Sequence, residues 1–449
     1  MKIDPAFAEE LISQALKSGA DQAEVFMKSF KNLSVDVKGQ AVDSLTSSLS
    51  YGYSLRVIKD KRLGFSYATD LAEKNSVVKQ AVESSEYSDE DSDLGLPGPS
   101  GPAGPAEVAV YDPAVADLKE GDAIGLTMLL EKAAFDADSR VKKVRKASGS
   151  FTTAETLIVN SKSVNTGYLS TSCSAQIMAV AEDGQESQTG WDFSGSRFLS
   201  DVSFEKTGRT AAERSVQLLG ARTITGSRTN VLLDNSVTID FLGIFASSLS
   251  SEALQKGKSL LKDKLGKEIL SPRLNIIDSG LRPGRLGSRP IDDEGVPISE
   301  KILVHKGVLQ TYLYNTYTAR KGNTHSTGNA VRGGFASLPS VGITNLFVEP
   351  ASEKDCLGKK DLIAFLDRGL YIVDTMGVHT ANPVSGDFSL GVSGLWIEGG
   401  EIRFPVKEAV ISGNILDFFN KVAAIGDDLI FYGTMGAPGI IISDVDISA

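Results

Sequence analysis

The sequence contains few of the residues that build metal sites and disulfides. Its 449 residues include two cysteines and three histidines. Cys173 and Cys356 lie in no CxxC or Cys/His pattern, and such sparse cysteine is typical of a reducing compartment. None of His305, His325 and His379 begins an HExxH motif. This pattern disfavours a zinc site built from this chain alone.

Basic charge and long apolar runs are also scarce. The 46 Lys and Arg face 57 Asp and Glu, for a formal net charge of −11. An acidic balance of this kind disfavours a nucleic-acid-binding surface. The most apolar segment, Val237 to Leu249, is interrupted by Asp240 and falls short of the roughly 20 residues that a bilayer span needs. Glu9 and Glu10 disfavour a signal peptide. We therefore expect a cytoplasmic protein without nucleic-acid or membrane partners.

The order of helical and strand patterns predicts an α+β fold. An N-terminal lobe of helices and antiparallel sheet precedes a larger, strand-rich C-terminal domain, in which Val237 to Lys264 reads as one long helical segment. Gly399–Gly400, between two strand-like runs, is a candidate hairpin turn. The segments are an N-terminal α/β unit (1–85), an acidic and Gly/Pro-rich linker (86–105), a middle unit of helix plus β-ribbon (106–222) and the C-terminal domain (223–449).

General catalytic motifs do not appear in the sequence. It has no GxSxG elbow, no Walker A loop and no GxGxxG that opens a helix. The Gly- and Arg-rich loop from Gly280 to Arg285 is the nearest to a phosphate-binding loop. Solvated or salt-bridged arginines are the favoured interpretation of that loop, with phosphate binding as the alternative.

Four segments of the C-terminal half carry a specific signature. They are Ser247–Ser259 (SSLSSEALQKGKS), Asn315–Lys321 (NTYTARK), Asn382–Ser389 (NPVSGDFS) and Gly394–Ile402 (GLWIEGGEI), the last followed by Pro405–Val406 and Ile411–Asn414. Together they resemble the TldD/TldE (PmbA) family, which is grouped with metallopeptidases and has also been described as modulators of DNA gyrase. The resemblance covers nearly the whole chain. It implies that the units on both sides of the linker form one N-terminal lobe.

The resemblance is closer to the TldE (PmbA) branch than to the TldD branch. TldD-like chains hold zinc with an HExxxH motif on a helix and a cysteine near the C-terminus. Here the motif falls on Ser251, Glu252 and Lys256, and Gly433 to Pro438 contains no cysteine. A serine hydroxyl is not an expected zinc ligand, and a lysine ammonium repels the ion. No metal site or confident catalytic residue is therefore expected in this chain.

The resemblance then implies a non-catalytic subunit. Zinc would be bound by a TldD-like paralogue in a heterodimer, and the two subunits would enclose a cavity that admits unfolded peptides and small proteins. Such complexes would serve proteolysis, peptide maturation or antitoxin turnover. The loops that carry Arg320, Asn382 and Asp387 are the candidates for peptide contact.

Two other functions stay open at this point. One is a stand-alone homodimer that binds peptides without a TldD-like partner. The other is an autonomous hydrolase with an unrelated site around His325, His379 and Asp387.

Overall fold

One antiparallel sheet organises the N-terminal lobe. The computed structural model describes residues 3–99, 107–352, 354 and 356–448, so positions 100–105 of the expected linker lie outside the described residues. The strands are β1 (Gln22–Lys38), β2 (Ala41–Lys59), β3 (Arg62–Ala68), β4 (Val141–Asn160), β5 (Asn165–Asp183) and β6 (Glu186–Ser196). Their order is β3-β2-β1-β4-β5-β6, so β1 and β4, from opposite sides of the linker, pair directly. The expectation of a single N-terminal lobe is confirmed.

The helices of this lobe cover one face of the sheet. They are α1 (Pro5–Lys17), α2 (Lys74–Ser85), α3 (Pro113–Ala116), α4 (Glu120–Ala137) and α5 (Phe204–Val216). Alternate residues of β1, such as Val25 and Val35, are fully buried in the apolar clusters beneath these helices, as the two-residue period of a strand requires. Helix α1 begins at a proline, and the Asp4 side chain accepts a hydrogen bond from the Ala6 N–H at 2.9 Å.

The described part of the acidic and Gly/Pro-rich segment lies against the lobe. Residues 94–99 have no regular secondary structure. Leu96 is buried and its N–H donates to Gln22 Oε1 at 3.0 Å. Asn160 Nδ2 donates to the Pro97 carbonyl at 3.0 Å. This segment is thus fixed at the ends of β1 and β4.

The C-terminal domain is built from two main sheets. Its strands are β7 (Ser227–Leu233), β8 (Leu274–Ser279), β9 (Glu300–His305), β10 (Val308–Leu309), β11 (Ala330–Val331), β12 (Ser340–Val341), β13 (Leu346–Pro350), β14 (Cys356–Leu357), β15 (Arg368–Met376), β16 (Asp387–Glu398), β17 (Glu401–Asn414), β18 (Val422–Gly426), β19 (Ile430–Tyr432), β20 (Met435–Ala437) and β21 (Ile440–Ser448). The first sheet has the order β10-β9-β8-β13-β20-β19. The second has the order β14-β18-β21-β17-β16-β15-β7, and a β21–β7 pairing closes five of its strands into a ring.

The predicted hairpin at Gly399–Gly400 is confirmed. These two residues join β16 to β17, and Glu398 pairs with Glu401. Both glycines have positive φ, 64° and 68°, as a two-residue turn of type I′ requires.

The helices of the C-terminal domain are short. They are α6 (Asn235–Ala246), α7 (Ser251–Gln255), α8 (Thr316–Lys321), α9 (Lys359–Leu366) and α10 (Ile415–Asn420). Helix α6 lies in the largest apolar cluster, where Phe241 and Phe245 are fully buried. None of the described helices is both long and apolar enough to cross a membrane.

The long helical segment predicted from Val237 to Lys264 is wrong. Helix α6 ends at Ala246, a single 3-10 turn follows, and α7 ends at Gln255. The helical hydrogen bonds are replaced by pairing with another part of the chain, since Leu313 N–H donates to Leu249 and Ser251 N–H donates to Leu313. Serine-rich sequence favours such a break because serine hydroxyls compete for backbone groups.

A buried ionic network joins the lobe to the C-terminal domain. Glu24 on β1 pairs with Arg56 on β2 at 2.8 Å and with Arg332 of the C-terminal domain at 2.6 Å. Arg56 also pairs with Glu294 at 3.0 Å. Burial of Arg56 opposes its charge, but the two carboxylates outweigh that effect and raise its pKa above the ordinary value. The two folded units are therefore held in one arrangement by mutually compensated charges.

We expect Arg56→Met to destabilise the protein by about 3–5 kcal/mol, because it leaves buried carboxylates without their shared cation. Denaturant unfolding followed by tryptophan fluorescence measures this, since Trp191 lies in β6 and Trp396 in β16. The matched control is Arg403→Met, which removes an exposed pair with Glu401 and should cost less than about 1 kcal/mol. Equal effects of the two substitutions would contradict the role assigned to the network.

Candidate functional site

The first position of the metal-binding motif is occupied by a buried hydroxyl. Ser251 begins α7 and has no exposed surface. Its Oγ donates a hydrogen bond to Thr318 Oγ1 on α8 at 2.8 Å. Gln255, at the end of α7, donates from Nε2 to the Thr318 carbonyl at 2.7 Å. The Ser251 side chain thus links α7 to α8. Its neutral hydroxyl is not among the usual ligands of zinc.

The side chains at the other two motif positions, Glu252 and Lys256, form an ion pair. Lys256 Nζ lies 2.6 Å from Glu252 Oε1, one helical turn away. The Lys256 side chain is 61% exposed, and the Glu252 side chain is partly buried, at 35% exposure. An ammonium at this distance occupies the carboxylate and repels a second cation. The remaining glutamate of the motif is therefore an ion-pair partner in this chain.

The segment from Gly433 to Pro438, where TldD-like chains carry a cysteine, forms part of a β-sheet in this chain. Thr434 accepts a backbone hydrogen bond from Leu346 at 3.0 Å, and β20 follows directly. Cys173 is buried in β5 and Cys356 lies in β14. In the described ranges no three His, Cys, Asp or Glu side chains converge in a way that could hold a metal ion. The donor set at the motif does not fit zinc.

Helix α8 lies beside the motif and carries Arg320. Asn315 caps this helix, with its side chain accepting from the Thr318 N–H at 2.9 Å. Arg320 Nε donates to the Asp93 carbonyl at 2.9 Å, and Tyr317 OH donates to Asp91 at 2.8 Å. Arg320 is exposed, but part of its guanidinium holds the acidic segment onto α8.

The loop that carries Asn382 and Asp387 is an exposed, internally bonded turn. Asn382 Oδ1 accepts from the N–H groups of Val384 and Ser385, at 2.9 and 3.2 Å. Asp387 accepts from Asn414 Nδ2 at 2.9 Å. Hydrogen bonds from Asn414 and then Ser385 hold the pKa of Asp387 below its ordinary value. Both side chains are exposed to solvent, and these hydrogen bonds fix their positions.

The structure brings both candidate peptide-binding elements next to the motif. Ser248, three residues before the motif, donates from Oγ to the Pro383 carbonyl of the loop at 3.3 Å. Helix α8 contacts the motif itself, through the hydrogen bond between Ser251 and Thr318. His325, His379 and Asp387 are all exposed, and no hydrogen bond or ion pair recorded for the described residues joins them.

The sequence interpretation missed the acidic turn that fixes α8. Glu294 Oε2 accepts from the Thr316 N–H, the first residue of α8, at 2.9 Å. Asp292 accepts from the N–H groups of Glu294 and Val296, each at 2.9 Å. Burial, followed by the charge of Glu294, raises the pKa of Asp292 to about 7. The available signal was the run Asp292-Asp293-Glu294 before a glycine of φ 82°, since three successive acids in a turn rarely lack partners when buried.

Three family models match consecutive parts of the chain. Residues 23–85 match domain 1, residues 113–219 match the central domain and residues 225–449 match the C-terminal domain of the PmbA/TldA metallopeptidases.

Curated relatives extend over nearly the full length. The metalloprotease PmbA homolog of Haemophilus influenzae is 30% identical over 99% of this chain and 95% of its own length. Metalloprotease PmbA of Escherichia coli O157:H7 is 26% identical over 98% of this chain and 96% of its own. The metalloprotease TldD homolog of Haemophilus influenzae is 26% identical over 91% of this chain and 86% of its own.

Solved structures share the fold. A proposed modulator of a DNA gyrase from Thermotoga maritima superimposes with a TM-score of 0.91 and 27% identity, covering 99% of both chains. TldE from Thermococcus kodakarensis has the same fold, with a TM-score of 0.88 and 21% identity over 99% of this chain and 100% of that one. This chain therefore belongs to the PmbA/TldD family of metallopeptidase-like proteins.

Proposed function

We propose that this chain is a non-catalytic, TldE-like subunit of a zinc metallopeptidase complex. The observation that carries the proposal is that the side chains at the motif positions already have partners within this chain. Ser251 donates a hydrogen bond to Thr318 inside the protein, and Lys256 forms an ion pair with Glu252 at the surface. No catalytic step is assigned to these residues.

The chemistry of peptide hydrolysis supports the same conclusion. Metal-assisted hydrolysis needs an ion that activates a water molecule and a carboxylate free to accept its proton. The Glu252 carboxylate is paired with an ammonium, and among the residues that the structure describes no group of three His, Cys, Asp or Glu side chains could hold the ion. We infer that zinc is bound by a TldD-like paralogue, with which this chain forms a cytoplasmic heterodimer.

The role proposed for this chain is to present peptide to its partner. Unfolded peptides and small proteins are the proposed substrates, in proteolysis, peptide maturation or antitoxin turnover. Arg320 on α8 and the loop from Asn382 to Asp387 flank the motif, and their exposed polar groups suit contact with a peptide backbone.

The direct experiment compares zinc content and proteolysis of the purified chain alone, the TldD-like paralogue alone and their mixture. We expect the isolated chain to be inactive without stoichiometric zinc, and the mixture to form an active, zinc-containing complex. Stoichiometric zinc with chelator-sensitive cleavage by the isolated chain would contradict the proposal. Failure to associate with the paralogue, together with a peptide-binding homodimer, would favour the stand-alone alternative instead.

Glu252→Gln distinguishes a structural glutamate from a general base. We expect the mixed complex to keep its activity within about twofold, because the substitution removes only an exposed ion pair worth about 0.3–0.5 kcal/mol. The matched control is the same change in the motif glutamate of the TldD-like paralogue, which should lower kcat by about 10²-fold or more. A comparable loss from Glu252→Gln in this chain would overturn the non-catalytic assignment.

A further inference from the structure

A cleft of about 760 Å³ lies between the N-terminal lobe and the C-terminal domain. Strand β6 and helix α5 line it from the lobe, and α9, β15, β19 and the loop at residues 283–285 line it from the domain. Its volume is within the range of about 300–1,000 Å³ that is typical of ligand pockets. The cleft reaches the start of α6, whereas the motif follows the end of that helix. Twelve residues of helix, about 18 Å, therefore separate the two places.

The charges at the base of the cleft compensate one another. Arg214 on α5 lies 3.3 Å from both Asp192 and Asp234. Its Nη2 also donates to Tyr432 OH at 2.9 Å. Lys359 Nζ lies 3.5 Å from Asp234. Two cations thus face two carboxylates, and this cluster joins the lobe to the domain with its charges already paired.

Arg285 and Lys206 are the two cations of the wall that lie outside this cluster, and the charge of Asp201, which also lines the cleft, acts on Arg285. The Arg285 guanidinium lies 4.3 Å from the centre of the Phe431 ring, which fixes its plane. No ion pair or side-chain hydrogen bond is recorded between this guanidinium and any described residue, whereas the neighbouring Arg282 lies 3.9 Å from Glu349. A planar guanidinium fixed on a ring presents several N–H donors to the cleft, in the geometry that suits a carboxylate. The arginine loop that the sequence singled out is therefore only partly salt-bridged.

Two sheet edges flank the same cleft. Strand β6 ends the sheet of the N-terminal lobe, and β19 ends the first sheet of the C-terminal domain. In the described part of the chain neither strand has a partner strand on its outer side, and Arg214 Nη1 donates to one carbonyl of β6, that of Trp191, at 2.9 Å. Unpaired strand edges offer backbone N–H and C=O groups to an extended segment of another molecule.

We propose that this cleft binds a short peptide in an extended conformation and that Arg285 pairs with a carboxylate of that peptide. The strand edges bind the peptide backbone, and the apolar wall that contains Val373, Leu395 and Ile430 contacts its side chains. The carboxylate comes from an acidic side chain or from the peptide C-terminus. The site belongs to the isolated chain, so it does not depend on the proposed zinc-bearing partner.

Fluorescence anisotropy with three labelled pentapeptides tests this on the full chain alone. The probes are Gly-Val-Thr-Val-Ala as the free acid, Gly-Val-Thr-Val-Ala as the amide, and Gly-Val-Thr-Val-Glu as the amide. We expect at least one carboxylate-bearing probe to bind about tenfold more tightly than the uncharged amide, the value for one charge-assisted pair. The probe that gains affinity identifies the source of the carboxylate. Equal affinity for all three would overturn the proposal.

Substitution of Arg285 tests whether the cleft is responsible for the preference for a carboxylate-bearing probe. We expect Arg285→Gln to abolish this preference while the uncharged amide binds as before, and Arg285→Lys to retain part of the preference. The control is Arg145→Gln, which changes an exposed arginine on β4 and should leave the preference intact. Thermal unfolding of each variant verifies that it is folded. A preference that survives Arg285→Gln in folded protein would show that the carboxylate binds elsewhere.

Discussion

The need to pair buried charges fixes the arrangement of this molecule. Glu294 is fully buried, and a carboxylate in that environment is tolerated only with compensating partners. One of its oxygens pairs with Arg56 from the N-terminal sheet, and the other accepts from the Thr316 N–H at the start of α8. Helix α8 in turn holds Ser251 through Thr318. The orientation of the lobe and the geometry of the motif therefore depend on the same carboxylate.

At the positions that the resemblance assigns to zinc ligands, this chain makes contacts within the protein. A TldD-like chain would place ion-binding side chains on α7, whereas this chain uses the same positions for a hydrogen bond and an ion pair. The elements around them keep exposed polar groups on α8 and on the loop from Asn382 to Asp387. Under the proposed function, this chain would shape a peptide-binding surface without taking part in the chemistry.

The turn at Gly399–Gly400 was predictable because local sequence determines it. The single-lobe arrangement around β1 and β4 joins distant strands, and it was expected only from the family resemblance. The long helix from Val237 to Lys264 was wrong because Ser250 and Ser251 pair with Leu313, a contact that helical periodicity does not contain.

The parts that escaped prediction are contacts between distant residues. Arg56 and Glu294 are 238 positions apart, and each alone reads as an ordinary surface charge. Arg320 was expected in a peptide-contacting loop, but its bond to the Asp93 carbonyl depends on how the acidic segment packs onto α8. The family resemblance could indicate which positions differ from the zinc ligands of TldD-like chains, but it could not show which contacts those positions make in this chain.

Native mass spectrometry of the complex between this chain and its TldD-like paralogue tests the central proposal most directly. Gentle activation separates the subunits and shows which of them keeps the metal. The proposal predicts one zinc ion per heterodimer, retained by the paralogue, with this chain released at its metal-free mass. Zinc retained on this chain would contradict it and would require a ligand set other than the motif at Ser251, Glu252 and Lys256.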